Sequence, residues 1–134
     1  IGKARIIKIS EDLNAIIDSL TACKFIFFAA TLEEFALAFR GATGKEATAQ
    51  DLLHAGERIY YHDRVMNALN GFSSSDDDLP KRFFTMPGSG GDGIEIPPID
   101  RNAFLAARTA YYQNRGLDEH GLPTEAKMKD LGIT

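Results

Sequence analysis

The chain has no tryptophan, three histidines and a single cysteine, Cys23, among its 134 residues. One thiol excludes an internal disulfide, and it cannot complete any common metal site alone. Any metal chemistry at Cys23 therefore needs ligands from outside this chain. His54 and His62 stand eight positions apart and His120 is remote, so the histidines lack metal-ligand spacing among themselves. No segment approaches the ~18 continuous apolar residues of a membrane span, which argues against a membrane role. Basic residues are the minority, 15 against 19 acidic for a net charge of −4, and they are scattered. That distribution argues against a nucleic-acid partner. No signal peptide is visible, and the first residue is Ile1 rather than Met, so the expectation is a piece of something longer. A lone cysteine agrees with a reducing cytoplasm.

What is present is ordinary for a globular protein, 44% hydrophobic and 25% charged. The length suits one domain over residues 1–134, and folding at this size buries roughly two-thirds of the unfolded surface. The periodicity predicts an all-α fold of about five helices. Ile6, Ile9, Leu13, Ile16 and Ile17 recur at threes and fours, which predicts a helix from Lys3 to Ile17 with that stripe buried. Phe25, Phe27 and Phe28 crowd the segment after Cys23, read as buried loop or short helix, and Phe35 is expected in the core with them.

Local signals mark the remaining helices. Thr31-Leu32-Glu33-Glu34 has the pattern of a capping box and opens a helix running to about Gly41. Thr48 caps the next, a long spine that Gly71 stops. Asp100 caps a helix carrying Tyr111 and Tyr112 that ends at Gly116, and Thr124 opens a short last one. Between them, residues 72–99 hold Pro80, Pro87, Pro97, Pro98 and the run Gly88-Ser89-Gly90-Gly91-Asp92-Gly93. Such punctuation predicts a long irregular surface loop.

Several clusters invite a functional reading, and each has a plainer one. The glycine run lacks the strand, helix and lysine of a phosphate loop, so a flexible linker is favoured. Asp76-Asp77-Asp78 lacks the further oxygen ligands of a calcium loop. Those acids are expected to receive Arg58, itself next to Glu57, in structural ion pairs. On residue counts alone, Cys23 reads first as an inert, buried small hydrophobe. Asp18 stands at the negative end of the first helix's dipole, where an acid is disfavoured by several tenths of a kcal/mol. A local bond to Thr21 or to a backbone N–H would explain it, as would a ligand.

The order of motifs narrows the choice. Ala42-Thr43-Gly44, Gly56-Glu57-Arg58-Ile59, Asp77-Asp78-Leu79-Pro80-Lys81-Arg82, Tyr111-Tyr112-Gln113-Asn114-Arg115-Gly116 and Gly121-Leu122-Pro123-Thr124 follow one another along the chain. Between about Lys3 and Ile133 this series resembles the carboxy-terminal region of the tungsten-containing aldehyde ferredoxin oxidoreductase family. In that family a DxxGLC motif supplies a pterin-binding aspartate and the last cysteine of a [4Fe–4S] cluster. Asp18, Ala22 and Cys23 occupy its positions, with Cys23 the metal ligand. Thr21 replaces the motif's glycine and Ala22 its leucine, so the backbone approach and apolar contact to the cofactor both change. The resemblance implies a cytoplasmic enzyme that oxidises aldehydes to carboxylic acids at a tungsten bis-pterin centre and passes electrons to ferredoxin. Its amino-terminal cofactor-binding domains would be this segment's partners, and its catalytic acid and base would lie outside residues 1–134. An isolated fragment would be inactive and without cofactor. The alternatives are a related low-potential reduction, such as an aromatic acyl-CoA reductase subunit, and a helical interaction module without cofactor.

Overall fold

The computed structural model describes residues 2–133, apart from the side chain of Phe27. Six α-helices form the body: α1 (Gly2–Ser19), α2 (Leu32–Thr43), α3 (Ala49–Leu69), α4 (Arg82–Thr85), α5 (Arg101–Arg115) and α6 (Glu125–Asp130). A 3₁₀ helix spans Lys24–Phe28, and strands β1 (Gly88–Ser89) and β2 (Glu95–Ile96) pair antiparallel, Gly88 opposite Ile96. The fold is therefore mostly helical but not all-α. The stretch 72–99 is not one irregular loop, because it contains α4 and this hairpin. The glycine run is no linker: Gly91, Asp92 and Gly93 all have positive φ and turn the chain between the strands.

Four of the helices, α2, α3, α5 and α6, begin at a side-chain cap. Thr31 and Thr48 make capping boxes with Glu34 and Asp51, Asp100 accepts from the Ala103 N–H, and Thr124 accepts from that of Lys127. These satisfy backbone donors that a helix start leaves unpaired. Gly44 and Gly116 close α2 and α5 in the left-handed conformation.

α1 lies mainly against α3 and also touches α5. The α1–α3 contact is close because position 56 has no side chain: a Cβ there would stand 2.2 Å from the Asp12 carbonyl oxygen. Ile16, Ala36 and Leu52 form a core between α1, α2 and α3, and Tyr61, Tyr112, Leu117, Leu131 and Ile133 form a second one. Ile6 and Ile9 are exposed, whereas Ala4, Asp12, Ile16 and Ile17 are buried. The expected stripe is thus only half right, since a buried ion pair, not apolar burial, decides which side of α1 faces α5. Phe25 and Phe28 are 79% and 82% exposed, which corrects their placing in the core, while Phe35 packs against the Ile16 cluster. Among the described residues no helix is long and apolar enough to cross a membrane.

Candidate functional site

The structure brings Asp18, Ala22 and Cys23 together in the turn that ends α1. The N–H of Thr21 donates to the Asp18 carbonyl at 3.1 Å, and that of Ala22 reaches the Ile17 carbonyl at 3.1 Å. That pair of bonds, with a left-handed residue between helix and exit, is a Schellman C-cap. The left-handed residue is Thr21, at φ 53°. A glycine adopts this conformation freely, but a β-branched residue does so at a cost of roughly 1–2 kcal/mol. The turn keeps its glycine-type geometry with a threonine in place. Thr21 Oγ1 donates to the Leu20 carbonyl at 2.7 Å, so the hydroxyl is used locally.

Asp18 presents its carboxylate outward, with a side chain 66% exposed. Its one close partner among the described residues is Lys24 Nζ, 4.0 Å away, at the limit of an ion pair. The local bond to Thr21 or to a backbone N–H that would have given it a purely structural role is absent from its carboxylate. Cys23 is a free thiol, also exposed, which corrects the reading of a buried hydrophobe. It stands immediately before the 3₁₀ helix and its exposed Phe25, Ile26 and Phe28. The segment from Asp18 to Phe28 thus exposes an acceptor-only carboxylate, a thiol and apolar rings.

Behind this face, α1 is held by a buried ionic cluster that sequence reasoning did not find. Arg115 and Asp12 are each 1% exposed and meet at 2.5 Å. The Arg115 guanidinium also donates to Glu11 at 2.7 Å and to the Lys8 carbonyl at 3.1 Å. Tyr60 and Tyr111 donate to the same Glu11 at 2.9 and 2.8 Å. Burial pushes the Tyr111 hydroxyl well above its ordinary range, and its bonds to Tyr60 and Glu11 add to that. Burial alone would lower Arg115, but Glu11 and Asp12 hold it firmly charged. The available signals were an acid inside an otherwise apolar-periodic helix and a Tyr-Tyr-x-x-Arg run, whose spacing places Tyr111 and Arg115 on one helical face.

The other candidates are absorbed by structure. Glu57 bridges Lys8 at 3.0 Å and Lys127 at 3.1 Å, not Arg58, and Arg58 donates to the Gly132 carbonyl at 3.5 Å. The fork onto the acidic run comes from Arg64, which takes Asp77 through both terminal nitrogens, while Arg101 takes Asp78. Burial would raise the Asp77 carboxyl, but Arg64 and Tyr112 hold it below its usual value. Asp76 accepts from the Ser73 N–H at 2.9 Å. Each of the three acids thus has protein partners, and no cation is needed to explain them. His54, His62 and His120 are exposed, and among the described residues no group of three His, Cys, Asp or Glu could hold a metal ion.

Comparison with known proteins decides the family. Residues 1–133 match the family described as aldehyde ferredoxin oxidoreductase, domains 2 & 3. The chain belongs to this family. It is 33% identical over 132 residues to a tungsten-containing aldehyde ferredoxin oxidoreductase of Pyrococcus furiosus, covering 98% of this chain and 21% of the relative. The corresponding Thermococcus kodakarensis protein is 30% identical over the same shares. An aliphatic sulfonate oxidoreductase, WOR-like subunit, of Pyrococcus furiosus is 30% identical over 92% of this chain and 20% of the relative. The chain therefore spans about a fifth of the length of the curated relatives it matches. The active site complex BamBC of benzoyl coenzyme A reductase in complex with 1,5-dienoyl-CoA has a similar fold. Its TM-score is 0.63 at 18% identity, covering 78% of this chain and 14% of that one. Membership in this family supports a related oxidoreductase or electron-transfer role.

Proposed function

We propose that this segment is the carboxy-terminal part of a tungstopterin, iron–sulfur oxidoreductase that oxidises aldehydes to carboxylic acids with ferredoxin as electron acceptor. The observation that carries the proposal is the outer side of the α1 exit turn, where Asp18 and Cys23 are both exposed and, among the described residues, the Asp18 carboxylate has only Lys24 at 4.0 Å. An unengaged carboxylate accepts two parallel bonds, which fits the ring and amino N–H donors of a pterin edge. A free thiol fits the fourth position of a [4Fe–4S] cluster whose other ligands lie elsewhere. When bound, the tungsten bis-pterin supplies the two-electron oxidation of the substrate, and the cluster passes the electrons on singly.

The residues of this chain hold and orient. Asp18 would hold the pterin edge through its acceptor oxygens, and Cys23 would ligate the cluster as thiolate. Ala22, partly buried at the position after the left-handed Thr21, leaves room where the family motif has leucine. Phe25, Ile26 and Phe28 cover apolar surface of the amino-terminal cofactor-binding domains, the partner that explains their exposure. A reduced thiol suits a cytoplasmic enzyme. The relatives' names differ in substrate, so substrate choice is assigned to residues outside this segment.

The test is Asp18→Asn in the full-length protein. An amide keeps one acceptor oxygen and loses the second, so tungsten occupancy should fall while the fold is retained, as expected for an exposed side chain. Full tungsten occupancy in the variant would remove Asp18 from the cofactor site.

A further inference from the structure

A cavity of about 430 Å³ opens between α1, α3 and α5, away from the exit turn and within the size range of small-molecule sites. Its nearest α1 residue to that turn, Glu11, precedes Asp18 by two helical turns, roughly 10 Å along the axis. The walls are mainly apolar, with Ile7, Phe104 and Ala107 facing the rings of Tyr60 and Tyr111.

The charges around it do not cancel. Four cations line the cavity, Lys3, Arg64, Arg108 and Arg115, against two carboxylates, Glu11 and Asp77. Arg115 is consumed by Glu11 and Asp12, and Arg64 by Asp77 and the Gly121 carbonyl. Arg108 uses only Nη1, donating to the Ser74 carbonyl at 2.7 Å and the Asp77 carbonyl at 2.9 Å. Its Nε and Nη2 have no hydrogen-bond partner among the described residues, and neither does Lys3. Arg108 shares the field of Asp77 and Asp78 and lies over the Tyr112 ring at 5.9 Å, so what it offers the cavity is spare N–H donors, and Lys3 adds an exposed ammonium at the mouth. An apolar cavity with these two cationic donors is complementary to a small anion with an apolar body.

We propose that this cavity binds an amphiphilic monoanion of the medium-chain carboxylate class. Its apolar body lies against Ile7, Phe104 and the tyrosine rings, and its carboxylate takes the spare donors of Arg108 and the ammonium of Lys3. A guanidinium with two N–H groups left is suited to grip a carboxylate by both oxygens. The proposal is independent of the cofactor assignment, since none of its residues lies in the exit turn.

Equilibrium dialysis of octanoate, with octanol as the neutral control, tests it on the full-length protein. The expected result is one saturable equivalent of octanoate, octanol at least about tenfold weaker, and about a tenfold loss of octanoate affinity in Arg108→Leu. Ala107→Trp, which fills the cavity from an exposed helix position, should abolish binding. If Arg108→Leu fails to fold, Lys3→Gln removes the other charge at an exposed position and should weaken binding several-fold. Absence of saturation at millimolar octanoate, equal binding of octanol, or binding unchanged by both charge-removing and cavity-filling substitutions would overturn the proposal.

Discussion

Gly56→Ala should destabilise this chain, and the size of the effect follows from one contact. In an ordinary helix interior, alanine in place of glycine gains about 0.8–1.0 kcal/mol. At position 56 the new Cβ would lie 2.2 Å from the Asp12 carbonyl oxygen, 2.9 Å from the Asp12 carbonyl carbon and 3.0 Å from Ile16 Cγ1. Backbone atoms cannot rotate away as a flexible side chain can. Relief to an ordinary C···O approach of about 3.3 Å requires α1 and α3 to separate by about 1 Å. A shift of that size would strain the Asp12–Arg115 pair at 2.5 Å and the Lys8–Glu57 pair at 3.0 Å. Overpacking costs about 1–3 kcal/mol, and a weakened charged hydrogen bond adds about 1.5–3 kcal/mol, so after the helix-propensity gain the net loss should be roughly 1.5–5 kcal/mol. Gly41→Ala in α2 is the control, because nothing lies within 4 Å of a Cβ there. It should be neutral or stabilising. Urea unfolding followed by far-UV circular dichroism measures both variants. A Gly56→Ala chain as stable as the parent, or stabilised like the control, would refute the close-packed account of α1 against α3.

Two further outcomes follow from the charged clusters. Arg115→Met leaves Asp12 buried without its strongest partner and should cost about 3–5 kcal/mol in urea unfolding, with Asp12→Leu in the same chain recovering a large part. Simple additivity of the two would contradict the buried Arg115–Asp12 pairing. The Arg101 guanidinium beside Asp78 holds its carboxyl down at about 2, so the tie is intact above the ordinary carboxylate range and is lost as pH falls through about 2. An NMR titration of the Asp78 carboxyl carbon should show that midpoint, and Arg101→Gln should return it towards about 4. A midpoint near 4 with Arg101 in place would exclude the pair.

What could be read from the sequence was what is decided within a few residues. Thr31, Thr48, Asp100 and Thr124 cap because each meets a backbone donor three positions on. Gly116 stops α5 because its φ of 71° is a left-handed conformation that glycine adopts freely. The failures were set by distant partners. The buried side of α1 is fixed by Arg115, which lies 103 positions from Asp12, so a stripe of isoleucines alone pointed elsewhere. Arg64 rather than Arg58 reaches Asp77 because of how the stretch after α3 folds back against α5, which no local spacing encodes. The β1–β2 pairing was hidden by glycines that read equally as linker. At the candidate site, the motif located Asp18 and Cys23, but only the backbone reveals that Thr21 occupies a left-handed C-cap position. Phe25 and Phe28 have the composition of core residues, and nothing in their own segment tells a core from a surface that another domain covers.

The central claim is that Cys23 supplies a ligand to an iron–sulfur cluster in the full-length protein, and Cys23→Ala tests it most directly. Iron content and the cluster's EPR signal would be measured on the purified variant beside the unaltered protein. The account predicts loss of iron with a diminished or altered cluster signal, since no other cysteine lies in this chain to replace the lost thiolate. A full complement of iron with an unchanged signal would contradict it.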